Sequence, residues 1–424
     1  MSDADPMSRA PSRWTDGSMQ RRVARRYAAE RRFRRFGLAA VSLSLLFLAF
    51  LLVTMASNGL GGFTHSEAPL AIDFARSDLI LDPAALTGPE AAATIGQAGL
   101  DGVISAAATA QYGAGGDRLF GGSSARALGR ALIADPDLLT RRATLWLPLS
   151  GKADIAAKGA TDANFGGDPA LARLLGKAEV RRRFNLDFLT ASDATDPSVV
   201  GVWGALKGSF LTIVITMGLA FPIGVLAALY LEEFAPRNRW TDTIEVSINN
   251  LAAVPSIIFG LLGLAVFLNI MDLPRSAPLV GGLTLALMTM PVIVIAGRNA
   301  IKSVPPSIRD AALGVGASQM QVVFHHVLPL ALPGIMTGTI IGMARALGET
   351  APLLMIGMRA FIAAPPSGFT DPSSVLPVQI FLWSDEVDRA FVEKTSAAII
   401  VLLLFMLMMN GLAIYLRNRF ERRW

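Results

Sequence analysis

RNAIKSVPPSIRDAALGVGASQMQVVFHHVLPLALPGIMTGTIIGMARALGETAP, residues 298–352, decides the fold. Its first half is a basic, polar segment between two strongly apolar runs. Pro305-Pro306 can start a helix but not continue one. Ile308, Ala311, Ala312 and Val315 then recur at i, i+3, i+4 and i+7, which predicts one small apolar face on a short helix. Small side chains there let another surface come close to the backbone. Gly314 and Gly316 weaken the helix and predict a turn after it. Leu328-Pro329 opens the next apolar run. The second half, from residue 330 to 358, is long enough to cross a membrane. It carries Arg345 and Glu349, four residues apart and so on one helical face. A charge at membrane depth costs roughly 2.5 to 3.5 kcal/mol even on the lenient insertion scale. Such residues are expected to face a protein interior or a pathway. The plainer alternative is an ion pair that only locks two helices.

Composition agrees with a membrane protein diluted by a polar portion. Of 424 residues, 52% are hydrophobic and 17% charged, against about 25% charged in average soluble chains. The net charge of +5 fits loop charges that set topology; no nucleic-acid motif accompanies it. The chain has no cysteine, which excludes disulfides, thiolate metal sites and a cysteine nucleophile. Its histidines are His65, His325 and His326, too few for a histidine-rich metal centre. His325 and His326 are adjacent and do not face one another on a helix. A phosphate-binding loop fails at residues 116–123, because Gly122 stands where lysine is required. The dinucleotide pattern fails after Gly314-Val315-Gly316, because Gln319 replaces the third glycine. No nucleophile elbow and no His-Glu-x-x-His occurs. The chain is not expected to hydrolyse ATP itself.

Outward from the central stretch, the apolar runs give about six spans. Residues 37–56 form the first, behind a basic segment, 1–36, rich in arginine. Its apolar core is too long for a cleaved leader, and no small-x-small site follows. The arginines should stay cytoplasmic, and binding of anionic lipid headgroups is a secondary role for them. Residues 57–205 contain no spanning run and are long enough for one small domain. Within them, 131–140 and 170–184 read as helices and 113–122 as a loop. Spans resume at 210–231, 248–271, 279–296, 330–358 and 397–416, several with interior prolines that neighbouring helices can tolerate. Arg237 and Arg239, then Arg298, Lys302 and Arg309, then Arg417, Arg419, Arg422 and Arg423 all fall on the side of the N-terminal arginines. That puts both termini and the loop 298–329 in the cytoplasm and the 57–205 domain outside, in the periplasm of a Gram-negative cell. The expected fold is an all-α membrane protein with a soluble domain of mixed or α structure inserted between the first span and a permease-like domain, 206–424.

Here a family resemblance becomes visible. Asp310-Ala311-Ala312, Gly316 and Leu328-Pro329 keep the spacing of the EAA loop of ABC importer permeases. Asp310 stands where glutamate is usual and His326 where isoleucine is usual. Arg345-Ala346-Leu347-Gly348-Glu349-Thr350 resembles the Arg-Ala-x-Gly-Glu-Thr signature of phosphate permeases. The closing Tyr415-Leu416-Arg417-Asn418-Arg419-Phe420, with Arg422-Arg423-Trp424, resembles the end of the PstA family. The resemblance covers about residues 200–424, and the N-terminal half resembles the long extension of some PstA chains. It implies a non-catalytic translocation subunit of a phosphate importer in the bacterial inner membrane, without cofactor or metal. The implied partners are a PstC-like second permease, a PstB-like ATPase dimer, a PstS-like periplasmic phosphate-binding protein, phosphate itself and membrane lipid. Asp310, Ala311, Ala312, Gly316, Leu328 and Pro329 would then form the loop that docks on the ATPase. Arg345, Glu349, Thr350 and Arg298 would lie along the translocation path. Arg345 is the leading candidate cation, since a guanidinium matches oxyanion geometry in a fork. For Arg298, a positive-inside anchor outweighs a phosphate role. Two other readings stand beside this one: an importer of sulfate, molybdate or a phosphonate, and a membrane sensor or scaffold built on the 57–205 domain.

Overall fold

The computed structural model describes residues 17–420 except 78, 80, 82, 89–90, 160–168 and 177–179. Arg13, Arg422, Arg423 and Trp424 lie outside the described residues. The chain divides into two compact units, Met1–Ser57 and Asn58–Trp424. In the first, the basic segment and the apolar run join in one helix, α1 (Gly17–Gly59). At 1.5 Å per residue it is roughly 65 Å long, about twice the hydrocarbon thickness. Most of its apolar side chains, Leu38, Val41, Leu45 and Phe47 among them, are exposed in the isolated chain.

The second unit opens with a short 3-10 turn, Leu60–Phe63, followed by a small α/β domain. Strand β1 (Thr64–Asp73) sends Ala68, Leu70 and Ile72 into a core, as period-2 alternation requires. Helices α2 (Ala91–Gln97), α3 (Leu100–Tyr112) and α4 (Gly122–Ala134) follow, then β2 (Arg142–Pro148), α5 (Gly151–Ala157), α6 (Pro169–Gly176), β3 (Arg181–Phe184) and α7 (Leu186–Thr190). The sheet is antiparallel in the order β2-β1-β3. Two expectations fail here. The helix expected at 131–140 is the end of α4 plus a separate 3-10 turn, Pro136–Thr140. Pro136 drives Asp135 out of the helical region and breaks the run. The helix expected at 170–184 stops at Gly176, and its last four residues are β3. Extension puts Arg181 and Arg183 on one side, 2.7 and 4.0 Å from the Glu67 carboxylate. Arg182 on the other side donates to the Lys158 carbonyl at 3.0 Å. The loop expected at 113–122 contains a 3-10 turn, Gly116–Leu119, and ends on the first residue of α4.

The permease part starts with α8 (Trp203–Leu229), which runs into a wide π turn, Tyr230–Phe234. The run expected to cross once at 248–271 is instead two pieces, α9 (Arg239–Ala252) and α10 (Ser256–Gly263, extended by a π turn to Ile270), bent by 100°. Pro255, just before α10, ends the first piece and starts the second. Then come α11 (Pro278–Lys302), α12 (Pro306–Gly314) and α13 (Gln319–Gln321), which passes through a π turn, Val322–Val327, into α14 (Leu328–Gly348). The run read to residue 358 therefore ends as a long helix at Gly348, and α15 (Ala351–Met355) continues it as a separate turn. Last are α16 (Leu376–Ser384) and α17 (Ala390–Phe420). Among the described residues five helices are long and apolar enough to cross a membrane, or six spans if the bent pair is one.

Close helix packing fixes this bundle. A Cβ on Gly334 would sit 2.7 Å from the Ala300 Cβ, and one on Gly342 2.9 Å from the Thr289 Cγ2. With Gly338 against Ala296 between them, the small residues at 334, 338 and 342 form a seam where α14 meets α11, the way membrane helices gain dispersion contact. The α/β domain joins the helices that follow through α7, whose Phe188 belongs to their buried core. Phe188 is fully buried, its ring 5.7 Å from Phe63 and 6.4 Å from Trp383, and Trp383 packs 6.1 Å from Phe391.

Candidate functional site: translocation and coupling residues

The signature residues sit where α14 stops. Arg345 lies in its last turn. Glu349 is already extended, with φ −77° and ψ 122°, and Thr350 precedes α15. The Arg345 Nε reaches Glu349 Oε1 at 3.3 Å. The pair holds although Glu349 has left the helix, so it braces the break rather than a helical face. The Arg345 side chain is 47% exposed and Glu349 20%, not buried in the bundle as a charge at membrane depth would lead one to expect. Among the described residues Arg345 has no other polar partner, so most of its N–H donors are free. Behind it, α15 rests on α10: a Cβ on Gly260 would meet Pro352 of α15 at 2.6 Å. Ala346, Leu347 and Leu353 are buried in the core beneath.

Arg298 is not part of this group. It lies 13 residues along α11 from Leu285, which lines a small cleft with Ala346 and Leu347, a separation of roughly 20 Å along the helix. Arg298 is 8% exposed. Its Nε donates to Glu232 and its Nη2 lies 2.7 Å from Glu245 Oε2. Lys302 adds a longer contact to Glu232 at 3.4 Å. One guanidinium thus ties the ends of α8 and α11 to α9.

Next to that node stands the segment between α11 and α14. Helix α12 is as long as its face predicts, and the chain turns at Gly316 with φ +90°, which glycine adopts without strain. Of the predicted face, Ala312 is buried and Ile308 half-buried, while Ala311 and Val315 are exposed, as is Asp310. Leu328 and Pro329 are half-buried at the start of α14, and His326 is exposed, so its ring meets no apolar contact requirement. Arg309 holds the loop. Its Nη2 donates to Glu233 Oε1 at 2.7 Å and to the Ile301 carbonyl at 3.0 Å; its Nη1 donates to the Val304 carbonyl at 2.6 Å. The Gln319 side chain donates to the Glu233 carbonyl at 2.7 Å. Helix α12 is therefore bound to the ends of α8 and α11, with Asp310 and Ala311 left facing outward.

Glu232, Glu233 and Glu245 have no role in the sequence analysis, where the span simply ends at residue 231, and Arg309 figures there only as a loop charge. A signal was present: two adjacent acids close a span on the side where every other loop is basic, so they require basic partners. The π turn at Tyr230–Phe234 sends the adjacent glutamates to different partners, Arg298 and Arg309.

A second node joins the soluble domain to the permease part. Lys158 Nζ lies 2.8 Å from Asp154 Oδ2 and 2.9 Å from Glu393 Oε1, and donates to the carbonyls of Gly61 at 2.9 Å and Thr64 at 2.8 Å. Lys394, on the next residue of α17, is buried and donates to the Gly62 carbonyl at 3.3 Å. Gly62 is required here, since a Cβ would sit 2.7 Å from that of Ala397. Among the described residues no cluster of histidine, cysteine or acidic side chains could hold a metal ion.

Residues 220–423 match the family described as binding-protein-dependent transport system inner membrane component, and residues 20–166 match a domain of unknown function, DUF3333. The chain is 34% identical over 203 residues to the probable ABC transporter permease protein YqgI of Bacillus subtilis, covering 47% of this chain and 67% of that protein. It is 30% identical over 227 residues to the phosphate transport system permease protein PstA of Haemophilus influenzae, covering 53% and 79%. With PstA 1 of Mycobacterium tuberculosis it shares 33% over 156 residues, 37% of this chain and 51% of that one.

Proposed function

Since the chain belongs to the family of binding-protein-dependent transport system inner membrane components, as a PstA-type permease, we propose that it passes inorganic phosphate across the bacterial inner membrane. The family makes it a multi-pass, non-catalytic subunit. No covalent bond of the substrate changes on it, so what its residues do is bind, orient and move. The observation that carries the phosphate reading is Arg345: a cation in an apolar chain, half exposed, with one 3.3 Å contact to Glu349 and its remaining donors free. A guanidinium fork matches an oxyanion in two parallel hydrogen bonds. Glu349 competes for the same fork. It neutralises Arg345 while the path is empty and yields when an oxyanion arrives, which keeps the held anion from binding too tightly to leave. Thr350 stands beside the break with a hydroxyl to offer. Arg298 serves instead as the node that keeps α8, α9 and α11 together at the cytoplasmic edge.

Energy comes from ATPase subunits acting on α12. Asp310 and Ala311 form the outward docking surface, Ala312 seats the helix, Gly316 turns the chain, and Leu328-Pro329 leads into α14. Arg309 makes α12 move as one body with the ends of α8 and α11, and α14 follows through the π turn. A displacement of α12 is thus delivered to α14, the helix that carries Arg345. The partners on this reading are a PstC-like permease, a PstB-like ATPase dimer and a PstS-like binding protein. Both termini are cytoplasmic, and the domain after α1, spanning about 57–205, is periplasmic.

The test is uptake of radiolabelled phosphate at micromolar concentration in cells lacking the chain, with membrane levels checked by blot. Wild type should restore uptake; Arg345→Gln should not, and Arg345→Lys should restore it in part. Excess sulfate, molybdate or phosphonate should not compete. Full rescue by Arg345→Gln would remove Arg345 from the path, and no rescue by wild type would remove phosphate.

A further inference from the structure

Among the described residues the α/β domain carries an open strand edge inside a groove. Strand β3 pairs with β1 only from Thr64 to Glu67. The backbone groups of even-numbered residues of β1 face β2, as the Ser66 carbonyl does in accepting from Leu149 N at 2.9 Å. By alternation, those of Pro69, Ala71 and Asp73 face the other way, past the end of β3. The first rung of this edge is filled from within the domain. Gln111 Oε1 accepts from Ala71 N at 2.9 Å, Gln111 Nε2 donates to the Pro69 carbonyl at 3.0 Å, and the Tyr112 hydroxyl donates to the same carbonyl at 2.7 Å. An amide side chain here does what a paired strand would do. The next rung, the Ala71 carbonyl and the Asp73 N–H, has no partner among the described residues.

Opposite this rung stands α3, which beside Gln111 presents the small or apolar residues Gly102, Val103, Ala106, Ala107 and Ala110 to the groove, with Gly99 just before the helix. A Cβ added at Gly99 or Gly102 would meet nothing within 4 Å. The space between is about 780 Å³, within the roughly 300–1,000 Å³ usual for ligand clefts. Arg76 and Arg142 stand at its rim with Asp73. Neither arginine has an ion-pair partner among the described residues.

We infer that this groove receives an extended peptide segment of a partner protein as a strand added to β1. The open rung asks for one donor and one acceptor at strand spacing, which a peptide backbone supplies and an oxyanion, chiefly an acceptor, does not. The wall of α3 leaves room for small side chains on alternate residues. Arg76 and Arg142 select carboxylates on the residues between. On the topology proposed above, the partner is an extracytoplasmic protein; that clause alone depends on that topology. An unpaired edge of this kind invites unwanted association, and its recess behind α3 limits the access to slender strands.

The test uses the full chain in detergent and an octapeptide of alternating alanine and glutamate, with alternating alanine and lysine as control. At millimolar acidic peptide, hydrogen exchange at the Asp73 amide should slow at least tenfold; the basic peptide should leave it unchanged. Gly102→Trp, which fills the groove, should abolish the protection with unchanged thermal unfolding, and Ala106→Phe serves if that variant does not fold. Arg76→Glu with Arg142→Glu should weaken peptide binding at least tenfold. No protection of Asp73, equal protection by the basic peptide, or protection surviving in the filled groove would overturn the inference. So would arginine-dependent binding of inorganic phosphate alone, without amide protection, since that marks an anion site. None of these readouts involves transport, so they fail or succeed independently of the phosphate reading.

Discussion

Replacing Lys158 with methionine should loosen the joint between the soluble domain and the permease helices. The ammonium stands among four oxygens, all within 2.9 Å: Asp154, Glu393 and the carbonyls of Gly61 and Thr64. The carboxylates are 7% and 15% exposed and Lys158 itself 10%, so solvent screens them little. Methionine fills the volume of the stem and leaves Asp154 and Glu393 without their directly bonded cation, with Lys394 the remaining positive charge nearby. Removing one member of a buried pair costs about 3–5 kcal/mol, and that is the loss expected for Lys158→Met. Glu393→Gln leaves Lys158 with Asp154 and should cost less, about 1–2 kcal/mol. The double variant keeps only Asp154 charged, and Asp154 still accepts from Ser66 N at 2.7 Å. The two losses should therefore fall short of adding, by about 1–2 kcal/mol, where independent sites add to within about 0.5 kcal/mol. The assay is denaturant unfolding of the purified chain in detergent, followed by tryptophan emission, since Trp383 lies at the joint. An additive cycle, or a loss below about 1 kcal/mol for Lys158→Met, would refute the argument.

Gly338→Leu should force α14 off α11 at Ala296 and cost about 1–3 kcal/mol or more, seen as a lower thermal midpoint and less folded chain in membranes. Arg298→Lys keeps the charge but cannot bridge Glu232 and Glu245 in a fork, and should cost about 1–3 kcal/mol; thermal unfolding measures it, and a neutral result would show that charge alone suffices. Asp193, half-buried and accepting from Trp383 Nε1 at 2.9 Å, is held above the ordinary carboxylate range, first by desolvation and against its hydrogen bonds. Its neutral form is the one the fold favours, so its contribution is fully present below the unfolded value of about 3.9 and is lost as pH rises through the higher folded value. Asp193→Asn, which keeps the acceptor, should therefore gain stability relative to wild type between acid and neutral pH in paired melting curves; a flat difference would contradict this. Asp310→Arg, at an exposed position of α12, should leave folding intact and reduce co-purification with the ATPase; a folding defect instead would argue against a docking role.

Long features were legible in the sequence. The apolar runs announce nearly every span, because length and hydrophobicity alone decide what crosses a bilayer. The Pro305-Pro306 start and the Gly316 turn set α12 by local backbone chemistry. What escaped depended on distant partners. The bend at Pro255 looks like a tolerated interior proline until the packing of α10 on α15 is known. Arg181–Phe184 lack a strand pattern of their own and become one because Glu67 is there to meet Arg181 and Arg183. Arg345 and Glu349 do pair, as their spacing suggests, but around the end of a helix and near the surface. Arg298 reads as a topology anchor because its glutamates sit 66 and 53 positions earlier in the chain.

The core that Phe188 shares with Trp383 and Phe391 has a consequence for motion. Val200 and Val202 bury into the same cluster, so a cut near residue 205 would divide one apolar core between two fragments. A domain hung on a flexible thread can wander without informing the membrane part. This one cannot. Any tilt of α17 carries the sheet with it, and anything that grips the far side of the sheet resists that tilt. Movements along α17 and at the start of the sheet are then linked through Phe188 and Lys158.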